Sequence, residues 1–150
     1  MQTKTLTNLI QEIITAVEKR LPEYFAIPED QKNNNGNCAI CIVDAAGGVH
    51  GKMFGTDKIR QRHSFRIAWI KASQVWITGL KTGEFEKQVY AGKIDEHDFG
   101  ISRPDFIGWE GGQPILVDGQ TKLSVGFSGF RGTSDLEIVQ KAVADIAGMK

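Results

Sequence analysis

A run of basic residues and a histidine is the clearest concentration of chemistry-bearing side chains in this sequence. It spans residues 58–66 and includes Arg62, His63 and Arg66. Residues 52–71 carry six Lys or Arg against one Asp. Positive charge at the start of a helix opposes the helix dipole, so this placement indicates an anionic partner such as a propionate, a phosphate or an acidic neighbour. The alternative is pairing with the acidic residues 84–98, within one chain or between subunits.

The histidines are His50, His63 and His97, and their spacing matches no standard metal motif. Each could be an axial ligand of haem iron if it lay in an apolar pocket, and each could equally be an ordinary surface or core histidine. His63 and His97 are the stronger candidates because of their neighbours in sequence, which are Arg62, Phe65 and Arg66 for the first and Phe99 and Trp109 for the second.

Cys38 and Cys41 have the C-x-x-C spacing of redox and zinc motifs. A redox motif needs its first cysteine at a helix start, but this pair lies in an apolar run typical of a strand. Residues i and i+3 of a strand point to opposite faces, and no second Cys or His pair completes a zinc site. The sequence therefore predicts two buried packing cysteines.

Two glycine motifs are weaker candidates. Gly126-Phe-Ser-Gly-Phe130 resembles the nucleophile elbow Gly-x-Ser-x-Gly but lacks its second glycine, so close backbone approach or a bend in a strand is favoured over a hydrolase site. Gly111 and Gly112 could present N–H groups to a ligand anion, or could form a sharp turn into the strand that follows.

The elements that must position these residues begin with an amphipathic helix. Its apolar stripe runs from Leu6 to Leu21, and Pro22 is expected to end it. A polar loop over residues 23–37 and a hairpin over residues 38–54 follow. The next helix, residues 58–80, is expected to be largely buried in its C-terminal half. Its apolar arc consists of one face and a flank that widens it, namely Phe65, Trp69, Ala72, Trp76 and Leu80, and then Ile67, Ile70 and Ile77.

The rest of the chain predicts a short strand at residues 85–91 within a long functional or interfacial loop ending near Gly112. Two strands, residues 114–117 and 123–130, then meet around Asp118 and Gly119. The Ser134-to-Glu137 spacing of a capping box predicts a last helix running to Gly148. The fold class expected is α+β, a single antiparallel sheet flanked by helices, in one domain over residues 1–150.

Composition excludes several broad classes. The 150 residues have a formal net charge of zero, which excludes a globally basic nucleic-acid binder. No apolar run approaches the roughly 18–20 residues of a membrane span, and the N-terminal residues lack the layout of a secretory signal. With two cysteines and no disulfide framework, the expectation is a cytoplasmic protein that binds neither nucleic acid nor a membrane.

Several short motifs, in this order, resemble the GlcG/HbpS family, whose domain also occurs at the C-terminus of PduO-type corrinoid adenosyltransferases. They are a Lys-Ala pair in the central helix (Lys71-Ala72), Gly111-Gly112-Gln-Pro114-Ile115, Gly126-Phe-Ser128-Gly129, Asp135 and the Val43-Asp44-x-x-Gly47 turn. The resemblance implies a profilin-like or PAS-like sandwich, assembly into a homo-oligomer, and haem or a related tetrapyrrole as the leading small-molecule ligand.

The sequence departs from the family pattern at four places. Residues 22–36 resemble an insertion, Glu110 replaces the usual Pro before Gly-Gly, Phe130 replaces a glycine, and residues 52–55 replace an Arg-Met-Asp-Gly stretch. These positions are expected near a ligand or a partner subunit. No family-wide catalytic residue maps onto a position of this sequence.

The leading hypothesis is a haem-binding protein. In it, His63 or His97 supplies the iron ligand, Arg62 and Arg66 lie near the propionates, and Gly111 and Gly112 border the ligand. One alternative is an oligomeric accessory protein with no ligand of its own. The other is an enzyme acting on a small metabolite, against which the lack of a recognisable nucleophile–base set counts.

Overall fold

Along the chain, helices are interspersed with the strands of a single sheet. The structure is a computed structural model that describes residues 5–102, 108–117, 119 and 121–146. None of the helices in these ranges combines the length and apolar character of a membrane span. The elements are α1 (Leu6–Phe25), α2 (Pro28–Gln31), β1 (Cys38–Val43), β2 (Val49–Phe54), α3 (Lys58–Thr78), α4 (Thr82–Tyr90), a 3-10 turn (Glu96–Phe99), β3 (Gly112–Val117), β4 (Thr121–Ser128) and α5 (Gly132–Ala144).

The four strands form one antiparallel sheet in the order β2-β1-β4-β3. Strand β1 is central and buried at every position, which explains its continuous apolar run. It pairs with β2 through Cys38 and Phe54, and with β4 through Ala39 and Ser128. The fold class is therefore the predicted one, an α+β fold in which helices flank a single antiparallel sheet.

The two faces of the sheet are covered differently. Cys38, Ile40 and Ile42 point to the large apolar core shared with α1 and α5. Ala39, Cys41 and Val43 alternate with them and face α3. The cysteines are thus free and buried on opposite faces, as predicted. Burial raises the pKa of both thiols to about 12, which makes them unreactive packing residues.

Small residues allow α3 to pack closely on the sheet. Ala68 and Ala72 of the helix face the strand residue Gly126, where a Cβ atom would overlap the Ala68 carbonyl oxygen and lie 2.7 Å from the Ala72 nitrogen. Gly126 therefore permits a close approach of two backbones, as predicted, and is not part of a nucleophile elbow.

The buried face of α3 differs from the predicted one. Trp69 and Trp76 are 41% and 47% exposed, and the C-terminal half of the helix is only partly buried. The buried stripe contains Ile67 and Ala72, as predicted, together with Ala68, Lys71 and Val75. The narrow gap above the sheet has no room for indole rings. A buried lysine also interrupts the apolar pattern from which the helix face was predicted.

Two predictions about the first third of the chain are wrong. Helix α1 continues through Pro22 to Phe25, because Tyr24 in the extra turn is buried in the core and stacks on Phe130 at 5.4 Å. Residues 23–37 are not one loop, since they contain the end of α1 and the short helix α2, whose Asp30 is fully buried.

The segment before Gly112 is helical where a strand and a long loop were predicted. Phe85 and Val89 lie four residues apart on α4, and they pack with Ile101 in a small separate core. Helix α5 begins at Gly132, and the predicted capping box is absent because the Ser134 hydroxyl donates to Asp30 instead. Residues Asp118 and Gly148 lie outside the described ranges.

The tight contact between α3 and β4 gives the first prediction. We expect Gly126→Ala to lower the free energy of unfolding by about 3 kcal/mol, because the new methyl group overlaps helix backbone that cannot move independently. Gly92→Ala is the matched control. Gly92 has a positive φ of 74° and open space around it, so its cost is about 1 kcal/mol of backbone strain. Urea unfolding measures both, and equal losses would contradict the close approach.

Candidate functional site

A cavity of about 410 Å³ lies beside the N-terminal half of α3. His63, Ile67 and Lys71 line it from successive turns of the helix, because residues four apart share one face. The opposite wall is residues 128–132, which join β4 to α5, and Trp109 and Glu110 contribute from the loop before β3. A wider groove of about 600 Å³ runs along α1, but no histidine or buried charged group lines it.

Lys71 and Asp135 form a buried ion pair at this cavity. The Lys71 Nζ atom donates to the Phe127 carbonyl oxygen at 2.8 Å and to Asp135 Oδ2 at 3.2 Å. The other carboxylate oxygen of Asp135 accepts the Phe130 N–H at 2.9 Å. The two side chains are 2% and 4% exposed. The pair therefore joins α3, the end of β4 and the start of α5.

Glycines make room for the Lys71 ammonium group. A Cβ atom at Gly111, where φ is 123°, would lie 2.7 Å from Lys71 Nζ and 2.6 Å from the Phe127 carbonyl oxygen. A Cβ atom at Gly126 would lie 2.9 Å from the Lys71 Cβ atom. Both positions therefore require glycine if the lysine is to occupy this place.

Burial disfavours the charged form of both partners. It raises the pKa of Asp135 to about 7, although the nearby Lys71 ammonium group opposes that rise. It also lowers the pKa of Lys71 against the attraction of Asp135. Both shifts have the same cause, the loss of water around the charge, and both bring the two groups closer to sharing one proton.

A second buried carboxylate, Asp30 on α2, holds the cavity wall in place. It accepts the Arg131 backbone N–H at 3.0 Å, the Arg131 Nε–H at 2.9 Å and the Ser134 hydroxyl at 2.9 Å. Burial alone would raise the pKa of Asp30, but these hydrogen bonds outweigh it and lower the pKa. Asp30 thus ties the start of α5 to a distant part of the chain.

The structure places the predicted ligand residues in different surroundings. The His63 imidazole lines the cavity and makes no hydrogen bond within the described ranges. Arg62 and Arg66 are exposed on α3, and neither belongs to the cavity lining. His97 lies on the 3-10 turn, 73% exposed, with its Nδ1 atom 3.0 Å from Asp95 Oδ1.

Gly111 and Gly112 border a separate cavity of about 190 Å³. The Gly112 N–H donates to Thr82 Oγ1 at 3.4 Å, so the turn into β3 uses it internally. Among the departures from the family pattern, Glu110 and Phe130 both line the cavity with His63. Residues 52–55 instead line a groove beside α1.

Sequence reasoning missed the ion pair and its support. Lys71 and Asp135 were noted as family motif residues, and a lysine on an apolar helix face was the available signal for a buried charge. Asp30 gave no such signal, because its partners lie 101 or more residues away. Within the described ranges, no group of three or more His, Cys, Asp or Glu is arranged to hold a metal ion.

The ion pair predicts a strong asymmetry between single and double variants. Asp135→Asn leaves the Lys71 ammonium group buried without its counter-charge, so we expect a loss of about 3–5 kcal/mol in the free energy of unfolding at pH 7. Adding Lys71→Met removes that unpaired charge and is expected to recover most of the loss. Urea unfolding tests this, and a double variant as unstable as the sum of its parts would contradict it.

The pH dependence of Lys71→Met is the matching prediction. Without the ammonium group the pKa of Asp135, already raised to about 7, rises further. A carboxyl whose folded pKa exceeds its unfolded value stabilises the fold in acid and loses that contribution as pH rises through the folded pKa. We therefore expect the variant to lose stability relative to wild type as pH rises above about 7, because Asp135 of wild type ionises there and the carboxyl of the variant ionises at higher pH. Lys141→Met, at an exposed site on α5, is the control and should parallel wild type.

Comparison with solved structures identifies related folds. The chain is similar to the PduOC:heme complex at 19% sequence identity and a TM-score of 0.70, over 99% of this chain and 98% of that one. It is similar to the protein ORFY of Klebsiella pneumoniae at 22% identity and a TM-score of 0.68, over 96% and 92%. A double mutant of HbpS from Streptomyces reticuli aligns at 15% identity and a TM-score of 0.62, over 98% and 90%.

No curated protein matches the chain in sequence. A family model described as haem degrading protein HbpS-like matches residues 25–144, which include α3, all four strands and the whole of α5. The matched range also contains Lys71, Asp135 and every residue that lines the cavity. The chain therefore belongs to the HbpS-like family.

Proposed function

We propose that this chain binds haem, or another flat tetrapyrrole, at the cavity beside α3, with His63 as the axial ligand of the iron. The observation that carries the proposal is the position of the His63 imidazole on a cavity whose walls also carry Ile67 and Phe130. A histidine imidazole is a common axial ligand of haem iron in proteins, and His63 is exposed at the cavity, where iron could reach it. Membership of the HbpS-like family supports the same ligand.

The residues around the cavity fit the needs of this ligand. Haem iron already has four nitrogen ligands from the porphyrin, so a single protein donor suffices, although the described residues form no metal-binding cluster. Ile67, Phe130 and the exposed indole of Trp109 offer apolar surface for the ring. A volume of about 410 Å³ lies within the usual range of small-molecule sites.

Cationic groups near the cavity suit the propionates. Arg131 lines it directly, with a side chain 48% exposed even though it binds Asp30. Arg62 and Arg66 lie on the turns of α3 that flank His63, so propionates reaching beyond the cavity rim would meet them. Arg62 and Arg66 were predicted from the sequence as propionate-binding residues. Arg131 is a third candidate, which the structure adds because it lines the cavity.

His97 is the second candidate for the iron ligand. Its imidazole is hydrogen-bonded to Asp95, as metal-ligating histidines often are, but it projects from an exposed turn outside the cavity lining. Gly111 and Gly112 border the adjacent smaller cavity beyond Glu110, where they could contact only an edge of the ligand. We therefore favour His63.

Assembly into a homo-oligomer is part of the proposal. Exposed apolar side chains on the outer face of α3 and on the edge strand β2 support it, namely Trp69, Trp76, Ile77, Val49 and Met53. Apolar groups clustered on a surface favour contact with another protein surface. The cytoplasmic location, the single domain over residues 1–150 and the lack of nucleic-acid binding stay predictions from the sequence.

Haemin titration of the purified protein tests the ligand. We expect a saturable shift of the Soret band, and we expect His63→Ala to weaken binding by about tenfold or more and to change the band position, because it removes a ligand of the iron. His97→Ala is the matched control and should behave as wild type. A shallow, non-saturating rise in wild type would contradict haem binding.

The same titration separates the two histidines. If His97→Ala changes the spectrum and His63→Ala does not, the iron ligand is His97 and the proposed cavity is the wrong place. An unchanged spectrum in the double variant would exclude both histidines.

A further inference from the structure

We propose that Lys71 is a nucleophilic amine that forms an imine with a small 2-oxo acid admitted through the cavity, and that Asp135 transfers the protons. This activity is independent of haem binding, although it uses the same cavity. The proposal rests on the position of the Lys71 amine, on its partner Asp135, and on the two glycines, Gly111 and Gly126, that leave room for the lysine.

The amine and the acid are arranged as a reacting pair. The Lys71 Nζ atom lies 3.2 Å from Asp135 Oδ2, within the range in which a proton moves along a hydrogen bond. Nζ has three N–H directions, and the described residues accept two of them, through the Phe127 carbonyl oxygen and Asp135. Both side chains line the cavity, so a ligand there faces the amine and the acid together.

Stability alone does not account for this arrangement. A buried ion pair is on average no more stable than apolar residues of the same volume, because desolvation offsets the attraction between the charges. Two glycines, Gly111 and Gly126, are nevertheless required to bring the lysine to this place. Buried lysines beside a cavity are a recurrent source of imine-forming amines, since desolvation favours the neutral, nucleophilic form.

The lining indicates the class of carbonyl compound. His63 and Arg131 can bind a carboxylate, and Ser128 has a hydroxyl with no hydrogen-bond partner within the described ranges. Glu110 on the same wall disfavours a ligand with more than one negative charge. Ile67 and Trp109 offer apolar contact for a short carbon chain. A monoanionic 2-oxo acid combines a carboxylate, a ketone and a short chain.

The reaction balances without an added oxidant or reductant. The Lys71 ammonium group first gives a proton to the Asp135 carboxylate, which leaves a neutral amine and a carboxylic acid. The nitrogen then attacks the ketone carbon, a C–N bond forms, and Asp135 returns its proton to the former carbonyl oxygen. The nitrogen loses a proton to Asp135, the hydroxyl leaves as water with that proton, and a C=N bond remains. The last N–H proton stays on the nitrogen, so one ketone and one ammonium group give one protonated imine and one water.

Reductive trapping on the intact protein tests the proposal. Pyruvate and sodium cyanoborohydride at pH 7 would fix the imine as a secondary amine, and the protein mass would rise by that of pyruvic acid less one oxygen atom. We expect peptide mapping to place the label on Lys71, at least about tenfold faster than on the exposed Lys141, because burial favours the neutral amine of Lys71 and a positioned acid–base group speeds such a reaction by about a hundredfold or more.

Variants assign the roles. Lys71→Met should remove the rapid label, and the control Lys141→Met should retain it. Asp135→Asn should slow labelling by about a hundredfold while the amine persists, as expected when a general acid–base group is lost. If Lys71→Met fails to fold, the peptide map of wild type decides the matter without it.

Two outcomes overturn the proposal. One is a wild-type map in which Lys71 carries no label or is labelled more slowly than exposed lysines. The other is an Asp135→Asn variant that is folded and labels at the wild-type rate, which would exclude Asp135 as the proton carrier. Haemin titration tests haem binding separately. Trapping of Lys71 without a Soret shift would support the imine site and contradict haem binding. A Soret shift without trapping would support haem binding and contradict the imine site.

Discussion

The ammonium group of Lys71 is placed where water cannot solvate it, and much of the local architecture compensates for that. Removing a charge from water costs several kcal/mol unless it is paired and hydrogen-bonded. Asp135 supplies the opposite charge and the Phe127 carbonyl supplies a second acceptor. Because these partners come from α5 and β4, the helices α3 and α5 and the strand β4 must keep their relative positions for the ammonium group to keep its hydrogen bonds. The cavity lies where they meet.

The same constraint explains the unusual face of α3. A helix that sits close enough to the sheet for a lysine to reach across it can present only alanines and a few β-branched or polar side chains below. The large aromatic residues Trp69 and Trp76 must then turn away from the sheet, where they are partly exposed. Close packing on one side of the helix thus creates an apolar surface on the other.

Local patterns were enough to predict the hairpins, the opposite orientations of Cys38 and Cys41, and the close approach at Gly126, since each depends on strand alternation or on backbone space. The passage of α1 through Pro22 depends on the burial of Tyr24, and the helical form of α4 on a small core around Phe85. The hydrogen bonds from Arg131 and Ser134 to Asp30 join segments far apart in sequence. These three could not be predicted from local sequence, because tertiary contacts outweigh the local preference. His63 was predicted as a candidate, whereas the pairing of Lys71 with Asp135 needed the fold.

Because Asp30 contacts the start of α5, the shape of the cavity depends on a segment that lies outside the sheet. One wall of the cavity is tied to a segment between α1 and β1 that contributes no strand to the sheet. Insertions or deletions in that segment can therefore reshape the cavity while the strand register and the lysine remain as they are. Relatives with the same sheet and a different length here would share a chemical centre and differ in what reaches it.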